Sequence, residues 1–416
     1  MNNKNKKVGI IIFSLIAGGA ERNVVNIANF LKSKGYDVDI VLFKKINDYK
    51  YEYELKTLSI TELLPANKIP FYLLPFKMVI VFLKLYKIIM KNKYEILISG
   101  AEYYPLYFTA IFSQLFNIKS IAMAGINMSE DINKHSLIPS ILHKVFFTIS
   151  FRFVNKVICA SKGVSADLKI SFLVPKNKLI TIYNGVDIKR IRKKTKERLP
   201  KKIEVFFDNY DVFIALGRLV ERKGFDHLIK AFKLVKDKNP KARLFIIGKG
   251  PAKKQLKQLT IKLNLDTSVN FLGFEKDNPY KYLFAAKTFI FSSLYEGFGN
   301  TIIEALSCGL PVVSTDCKFG PREILAESFN YRKIPLKNAI FTKYGILVPE
   351  FKGENNMNGY SHQERILAKT MHKIATDKKI NSRYRKMSLK RAENFSIELM
   401  GKEYLKVIET IMNKTI

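Results

Sequence analysis

Acidic residues are scarce in this chain. Its 416 residues include 36 Asp and Glu against 71 Lys and Arg, which gives a formal net charge of +35 at pH 7. A surplus of this size favours an anionic partner, such as nucleic acid, an acidic membrane face or a phosphorylated substrate. Lysines spread over solvated faces explain the same surplus equally well.

Cysteines are also few, and their spacing fits neither a metal site nor a redox motif: Cys159, Cys308 and Cys317. An odd, sparse count argues against a disulfide framework and suggests a reducing compartment. The apolar run after the basic N-terminus is broken by Gly18 and Gly19, which predicts a first strand and turn rather than a secretory signal.

Long apolar runs are missing as well, so we predict no membrane-spanning helix. The nearest candidate, residues 71–90, contains Pro75, Lys77, Lys84 and Lys87, which are costly inside a bilayer. The lysines recur at helical spacing, as expected for one face of an otherwise apolar helix. This pattern is typical of an interfacial membrane anchor, although a packed helix with lysines facing water also explains it.

Residues 141–156 repeat this pattern more loosely, with Lys144, Arg152 and Lys156. Two such segments in the same half of a basic chain favour a protein that works at an anionic membrane surface.

Short apolar runs alternate with helical patterns along the chain, which predicts parallel sheets covered by helices. A chain of this length predicts two domains. We place the first domain at 1–188, a charged linker at 189–202 and the second domain at 203–392. A final helix within 393–416 is expected to pack back towards the first domain.

The predicted strands of the first half are 8–14, 38–43, 96–99, 120–124, 156–160 and 178–183. Those of the second half are 212–216, 243–248, 269–273, 288–292 and 311–315. The clearest helices are 21–34, 225–238, 253–263 and 397–412.

Two carboxylates, Glu296 and Glu304, lie eight positions apart across a glycine turn and the start of a helix. A strand followed by such a turn offers free backbone N–H groups and a positive helix end to an anion. Because carboxylates repel a phosphate, each of the two is expected to bind another part of the ligand. The combination indicates a ligand with both phosphate and hydroxyl groups, which is a nucleotide sugar.

A basic loop, 217–224, follows the first strand of the second half and contains Arg218 and Lys223. Ligands of open α/β sheets bind at the carboxyl ends of strands, so these cations are placed to clamp a diphosphate. A solvated basic loop is the alternative. Gly248 and Gly250 end the next strand and predict a tight turn near the same site.

In the first half, Gly18 and Gly19 follow strand one and open a helix, where small residues let the backbone approach a phosphate. Asp37 and Asp39 suggest a ribose-binding acid or a metal-binding Asp-x-Asp motif. Their place at the start of the second strand favours a solvated strand start instead. No metal-ligand cluster and no serine-nucleophile signature is present in the sequence, so we expect chemistry without a metal or other cofactor.

Together these motifs resemble the retaining glycosyltransferases of family 4. The resemblance rests on the loop 217–224, the Gly-Lys-Gly-Pro turn 248–251, and the paired acids Glu296 and Glu304. It implies the GT-B fold, an α/β architecture in which two Rossmann-like parallel-sheet domains face each other across a cleft. The first domain would bind the acceptor and the second the nucleotide sugar.

The resemblance also implies roles for single residues. Glu296 would contact the donor sugar and Glu304 the ribose hydroxyls, while Arg218 and Lys223 would hold the diphosphate. Arg218, Lys223 and Glu296 form the expected catalytic set. The expected donor-binding set consists of Gly18, Gly19, Gly248, Gly250, Phe298, Gly299, Asn300, Thr301 and Glu304. Many relatives carry a histidine in the first domain, whereas Asn127 is the nearest polar candidate within residues 122–129 here.

The resulting expectation is transfer of a hexose or N-acetylhexosamine from a nucleoside-diphosphate sugar, with UDP favoured and the anomeric configuration retained. The acceptor would be a glycan or a polyprenyl-diphosphate-linked saccharide, because residues 316–323 resemble those of bacterial enzymes that use such acceptors. The protein would then be cytoplasmic and peripheral on the inner face of the membrane, without a nucleic-acid partner. The alternatives are a sugar-nucleotide epimerase or phosphorylase of the same fold, or a basic nucleic-acid-binding protein.

Overall fold

The computed structural model describes residues 6–16, 18–44, 46, 56–61, 74–133, 136–275, 278–327, 335–351 and 359–413. Residues 71–73 of the first predicted basic helix and residues 414–416 lie outside this set. The chain divides into two compact units. The first combines 1–185 with 397–416, and the second is 186–396. Residues 189–202, predicted as a linker, belong to the second unit and contain all but the first residue of the helix Ile188–Thr195.

In the described part of the first unit, one seven-stranded parallel sheet has the order β3-β2-β1-β4-β5-β6-β7. Its strands are β1 Lys7–Ile12, β2 Asp37–Lys44, β3 Lys56–Thr61, β4 Ile96–Ser99, β5 Lys119–Ala124, β6 Lys156–Cys159 and β7 Leu179–Thr181. Its helices are α1 Gly19–Ser33, α2 Leu74–Asn92, α3 Tyr104–Leu115, α4 Met128–Ile132, α5 Leu137–Phe153, α6 Lys162–Ser171 and α16 Ile397–Asn413.

The strands of this sheet are apolar because both of their faces are covered. One face packs against α1 and α16, with Ile27, Leu31 and Ile408 fully buried. The other packs against α2 and α3 through a cluster that includes Leu85 and Phe112. Chain order reverses between the neighbouring strands β1 and β4. Open α/β sheets bind ligands outside the carboxyl ends of the strands at such a reversal.

The second unit repeats this plan, with the order β10-β9-β8-β11-β12-β14-β13 in its described residues. Its strands are β8 Asp211–Leu216, β9 Ala242–Ile247, β10 Val269–Gly273, β11 Thr288–Phe291, β12 Val312–Thr315, β13 Ile340–Phe341 and β14 Ile346–Val348. Its helices are α7 Ile188–Thr195, α8 Lys201–Asn209, α9 Phe225–Lys238, α10 Lys253–Lys262, α11 Tyr280–Ala285, α12 Asn300–Ser307, α13 Pro321–Ala326, α14 His362–Thr376 and α15 Lys378–Ala392. The reversal lies between β8 and β11.

The structure confirms the prediction of two parallel-sheet α/β domains. It adds an antiparallel edge, since β13 pairs with β14 in the opposite direction. It also adds β3, whose Lys-Thr-Leu-Ser-Ile-Thr sequence has no continuous apolar run to reveal it. An edge strand has a neighbour on one side alone, so its pattern is less apolar than that of a central strand.

The prediction of a solvated strand start is correct for Asp37 and wrong for Asp39. The Asp37 side chain is half exposed, whereas Asp39 is fully buried. The Tyr94 hydroxyl donates a 2.7 Å hydrogen bond to Asp39, and the Lys7 ammonium lies 3.8 Å from the same carboxylate. Burial and this hydrogen bond raise the pKa of Tyr94. Asp39 therefore anchors the base of the sheet.

Candidate active site

The basic loop and the first of the paired acids meet at the reversal point of the second sheet. Gly217 and Arg218 follow β8 directly, and Ser293 to Glu296 follow β11. Because β8 and β11 are parallel neighbours, their carboxyl ends emerge side by side. The topology thus brings two segments together that are far apart in sequence.

The end of the basic loop is docked on the segment after β11. The Ser292 hydroxyl donates to the Lys223 carbonyl at 2.8 Å, and the Leu294 N–H donates to the Arg222 carbonyl at 2.8 Å. Gly224 has φ of +58°, and a Cβ there would lie 2.3 Å from the Ser292 carbonyl oxygen. Only glycine fits this approach, which fixes where Lys223 projects.

Lys223 and Glu296 form an ion pair with 2.5 Å between Nζ and Oε1. Both side chains are largely buried, with 13% and 10% of their surface exposed. The Ser293 hydroxyl donates to the same Glu296 oxygen at 2.8 Å. The Lys223 ammonium also lies 5.3 Å from the centre of the Phe291 ring. The pair is therefore held in place by neighbours on both sides.

Burial raises the pKa of Glu296, but the charges of Lys223 and Arg222 and the hydrogen bonds from Lys223 and Ser293 outweigh it. The net result is a pKa below the ordinary glutamate value. Glu296 is consequently a carboxylate at neutral pH and can accept hydrogen bonds from sugar hydroxyls.

Arg218 is exposed, and its guanidinium pairs with no other residue in the described part of the chain. Its loop is braced by the turn 248–251. The Leu219 N–H donates to the Lys249 carbonyl at 3.0 Å. A Cβ at Gly248 would lie 1.8 Å from the Gly217 carbonyl oxygen. The predicted tight turn therefore positions the basic loop through backbone contact.

The second acid, Glu304, is buried in α12, and its carboxylate accepts a 3.3 Å hydrogen bond from the Tyr280 hydroxyl. This helix begins at Asn300, directly after Gly299 with φ of +106°. Phe298 is buried ahead of the turn. Thr301 lies in the first turn of the helix, and its buried hydroxyl oxygen has no hydrogen-bond partner among the described residues.

The turn before α12 is fixed by close backbone packing. A Cβ at Gly320 would lie 1.7 Å from the Phe298 carbonyl oxygen. The Phe319 N–H donates to the Glu296 carbonyl at 2.8 Å. The Arg322 guanidinium forms a two-bond ion pair with the buried Asp316 carboxylate. This pairing anchors the segment behind the turn.

Gly18 and Gly19 belong to the first unit. Gly18 precedes α1 in an extended conformation, and the Glu21 carboxylate approaches within 2.3 Å of where its Cβ would be. The first turn of α1 thus already has a carboxylate over its N-terminal end. The structure places these glycines after β1, at the reversal point of their own sheet.

Sequence reasoning overlooked three polar residues in the two units: Ser293 after β11, Tyr280 at the start of α11 and Glu102 after β4. Ser293 and Tyr280 bind the paired acids directly. Glu102, which follows β4, accepts hydrogen bonds from the N–H groups of Gly125 and Ile126 at 2.6 and 3.2 Å. Burial raises the pKa of Glu102 despite these bonds. Its place shortly after a strand was the signal that could have found it.

Asn127, the candidate for the position of the usual histidine, is buried and caps α4 by accepting from the Glu130 N–H at 3.3 Å. Its oxygen therefore has a structural partner. Across the described ranges, no group of three or more His, Cys, Asp and Glu side chains is arranged to hold a metal ion. The helices of those ranges include none that could cross a bilayer.

Comparison with known families identifies the class of protein. The model of Glycosyltransferase Family 4 matches residues 17–190, and that of Glycosyl transferases group 1 matches residues 196–339. The chain is 35% identical over 348 residues to an uncharacterized glycosyltransferase of Methanocaldococcus jannaschii, covering 80% of this chain and 84% of that one. The protein belongs to the family 4 glycosyltransferases and is an enzyme of the transferase class.

A second relative is described more specifically. The N-acetylgalactosamine-N,N'-diacetylbacillosaminyl-diphospho-undecaprenol 4-alpha-N-acetylgalactosaminyltransferase of Campylobacter jejuni is 28% identical over 415 residues, which cover 97% of this chain and 99% of that one.

Solved structures confirm the GT-B fold. Anabaena HepE in complex with UDP matches with a TM-score of 0.73 at 18% identity, covering 97% of this chain and 100% of that one. The sucrose-phosphate synthase of Thermosynechococcus elongatus matches with a TM-score of 0.77 at 18% identity, covering 99% and 100%. The family assignment supports a glycosyltransferase over the alternatives of an epimerase, a phosphorylase or a nucleic-acid-binding protein.

Proposed function

We propose that this enzyme transfers a hexose or N-acetylhexosamine from a nucleoside-diphosphate sugar to a glycan or polyprenyl-diphosphate-linked acceptor, with retention at the anomeric carbon and without a metal ion. It would act at the cytoplasmic face of the membrane as a peripheral protein. UDP is the favoured nucleotide, since Anabaena HepE was solved with UDP and with UDP-glucose. The name of the Campylobacter relative supports a lipid-linked acceptor.

One observation carries this proposal: the Lys223–Glu296 ion pair at the reversal point of the second sheet. It sets a buried cation beside a carboxylate of lowered pKa, with the exposed Arg218 on the same loop. A departing diphosphate gains negative charge and the sugar ring gains positive charge. Lys223 would stabilise the negative charge of the diphosphate, and Glu296 would stabilise the positive charge of the sugar ring.

In the proposed reaction, the bond between the anomeric carbon and the diphosphate oxygen breaks as the acceptor oxygen bonds to the same carbon. The acceptor proton leaves with the diphosphate. Lys223, Arg218 and the backbone N–H groups at the start of α12 would stabilise the departing diphosphate. Glu296 would hold the sugar, and Glu304 would bind the ribose hydroxyls.

A donor screen tests the proposal. Thermal shifts are measured with UDP-, GDP- and ADP-sugars, and UDP-sugars are expected to give the largest rise in melting temperature. Transfer is then followed with and without EDTA, and the product linkage is assigned by NMR. Inversion at the anomeric carbon, or loss of activity on chelation that Mg²⁺ restores, contradicts the corresponding part of the proposal. Donor consumption that needs no acceptor indicates an epimerase or a hydrolase.

A further inference from the structure

We propose that the exposed face of α5, together with the adjoining faces of α2 and α3, is the surface through which this protein binds an anionic lipid bilayer. The inference rests on the proposed function, because it supplies the place where a lipid-linked acceptor would be met. It goes further by assigning membrane contact to named side chains of the first unit.

The solvent-facing side of α5 is largely apolar. Its exposed large hydrophobic residues are Ile141, Leu142, Val145, Phe146, Ile149 and Phe153. Leu142 and Phe146 each have 52% of their surface exposed. The opposite side already packs inward through Phe147 and Phe151, which are fully buried. The helix is therefore apolar around most of its circumference, and one of its apolar faces is uncovered.

The uncovered face continues onto the two neighbouring helices. The Tyr107 ring of α3 lies 5.6 Å from the Phe146 ring of α5, and the Gln114 amide donates to the Phe153 carbonyl at 2.9 Å. Phe82 of α2 stacks on Phe112 of α3 at 4.9 Å. The exposed apolar residues that these helices add are Val79, Leu83, Tyr86, Ile111 and Leu115.

The charges on this layer all have one sign. The sequences of α2, α3 and α5 contain no Asp or Glu. Among the side chains of these helices that the structure describes, the exposed charged ones are Lys87, Lys91, Lys144 and Arg152. By contrast, α16 of the same unit mixes exposed Glu398 with exposed Lys402 and Lys406, as water-facing helices usually do.

An anionic bilayer is the occupant that fits both properties. A contiguous exposed apolar surface of this extent marks an interaction site rather than ordinary surface. Its apolar side chains would enter the boundary between headgroups and acyl chains, while the cations meet the lipid phosphates. A protein partner would have to provide an apolar surface with acidic residues at four separate points, whereas an anionic bilayer meets both needs along its whole face.

The test is flotation of the full-length protein with vesicles of phosphatidylcholine alone or mixed with phosphatidylglycerol. The wild type is expected to float with the anionic vesicles at low salt and less at high salt. Leu142→Glu combined with Val145→Glu should weaken binding about tenfold or more, because two apolar contacts are lost and two repulsive charges are added. Lys144→Glu combined with Arg152→Glu should weaken it to a similar extent.

Matched controls lie in the second unit. Val205→Glu and Ile261→Glu change residues that are at least as exposed, and Lys254→Glu with Lys257→Glu reverses two exposed lysines on α10. These controls should bind vesicles within about twofold of wild type. Circular dichroism and the UDP-induced thermal shift should be unchanged in every variant.

Wild type that stays unbound with anionic vesicles at low salt overturns this inference. The inference is also overturned if the α5 variants bind anionic vesicles as strongly as the controls do. A third contradicting outcome is that the variants only dissociate a dimer that light scattering detects in the wild type. UDP-sugar binding that persists in these cases leaves the donor chemistry intact. If the protein binds vesicles but binds no nucleotide sugar, the proposed function is contradicted while the proposed membrane-binding surface is supported.

Discussion

Lys223 and Glu296 illustrate how one contact can prepare a residue pair for two tasks. An ammonium group has three N–H donors, so Lys223 can keep its bond to Glu296 while it meets a phosphate oxygen. Both described hydrogen bonds to the Glu296 carboxylate go to Oε1, so Oε2 could accept a hydrogen bond from a sugar hydroxyl. The hydroxyl of Ser293 and the ring of Phe291 restrict the motion of the pair. Such fixed charges need little rearrangement during reaction, which makes them effective in catalysis.

The first prediction concerns the cations. Lys223→Ala and Arg218→Ala should each lower kcat by ~10²–10³, because each removes a charge from the departing diphosphate. Turnover of the UDP-sugar that gives the largest thermal shift is the measurement. Lys238→Ala, which removes an exposed lysine at the end of α9, is the matched control and should keep full turnover. Near-normal turnover in both site variants rules out their assigned role.

The second prediction concerns pH. Because the folded pKa of Glu296 lies below its ordinary value of about 4.3, the ion pair stabilises the fold fully above that value. This contribution is lost as pH falls through the lowered pKa. Glu296→Gln should reduce unfolding free energy by about 3 kcal/mol between pH 5 and 8, since it leaves Lys223 buried without its counter-charge. The difference from wild type should shrink below about pH 4.

Urea unfolding at several pH values measures this difference. Glu398→Gln changes an exposed glutamate of α16 and should stay within about 0.5 kcal/mol of wild type. If the loss of unfolding free energy in Glu296→Gln grows as pH falls, the prediction is wrong. The same variant should lose at least ~100-fold in turnover at every pH.

Among the elements, the loops after β8 and β9 depend on each other. Gly248 has φ of +152° and faces the Gly217 carbonyl, so any side chain there forces the two loops apart. The third prediction is that Gly248→Ala lowers the unfolding free energy by at least about 2 kcal/mol and weakens UDP-sugar binding, because Arg218 shifts with its loop. Denaturant unfolding and nucleotide-induced thermal shifts give both quantities.

Gly359→Ala is the matched control, since no atom of the described residues beyond its chain neighbours lies within 4 Å of a Cβ at that position. It should leave stability and nucleotide binding unchanged. If Gly248→Ala behaves in the same way, backbone contact is not what positions the basic loop.

Most elements were predictable because strands covered on both faces need apolar runs bounded by turns. The strand bounds 96–99 and 269–273 and the helix bounds 225–238 agree between sequence and structure. The edge strand β3 was missed because it lacks such a run. The three-residue β14 is too short to show a period.

The identity of the site residues was predictable from the sequence, but the contacts between them were not. Motifs identify Arg218, Lys223 and Glu296, but the hydrogen bond between Lys223 and Glu296 spans 73 positions. It depends on how two loops pack, which no local pattern encodes. The burial of Asp39 likewise depends on Tyr94, 55 positions away. Long-range partners decide whether a charged residue can be buried. The local sequence pattern therefore led to the wrong prediction that Asp39 is solvated.

At the scale of the whole molecule, α16 belongs to the first unit although it follows the second in sequence. Ile408 is fully buried there in the cluster that also contains α1. The fourth prediction is that Ile408→Ala destabilises the first unit by about 2–5 kcal/mol, as expected for a large buried side chain. Hydrogen exchange should become faster in α1 and β1 and remain unchanged in β8 and β11.

Ile374→Ala in α14 provides the mirror control, because this fully buried residue belongs to the core of the second unit. It should speed exchange in the second unit instead. Equal acceleration in both units by either variant contradicts this prediction.

This division of the chain sets the order of events during synthesis. Residues 186–396 leave the ribosome as one uninterrupted segment and can complete their core at once, whereas the earlier residues must wait for their final helix. The N-terminal half is thus made first and finished last. Until α16 emerges, the apolar side of α1 that it covers stays open to chaperones.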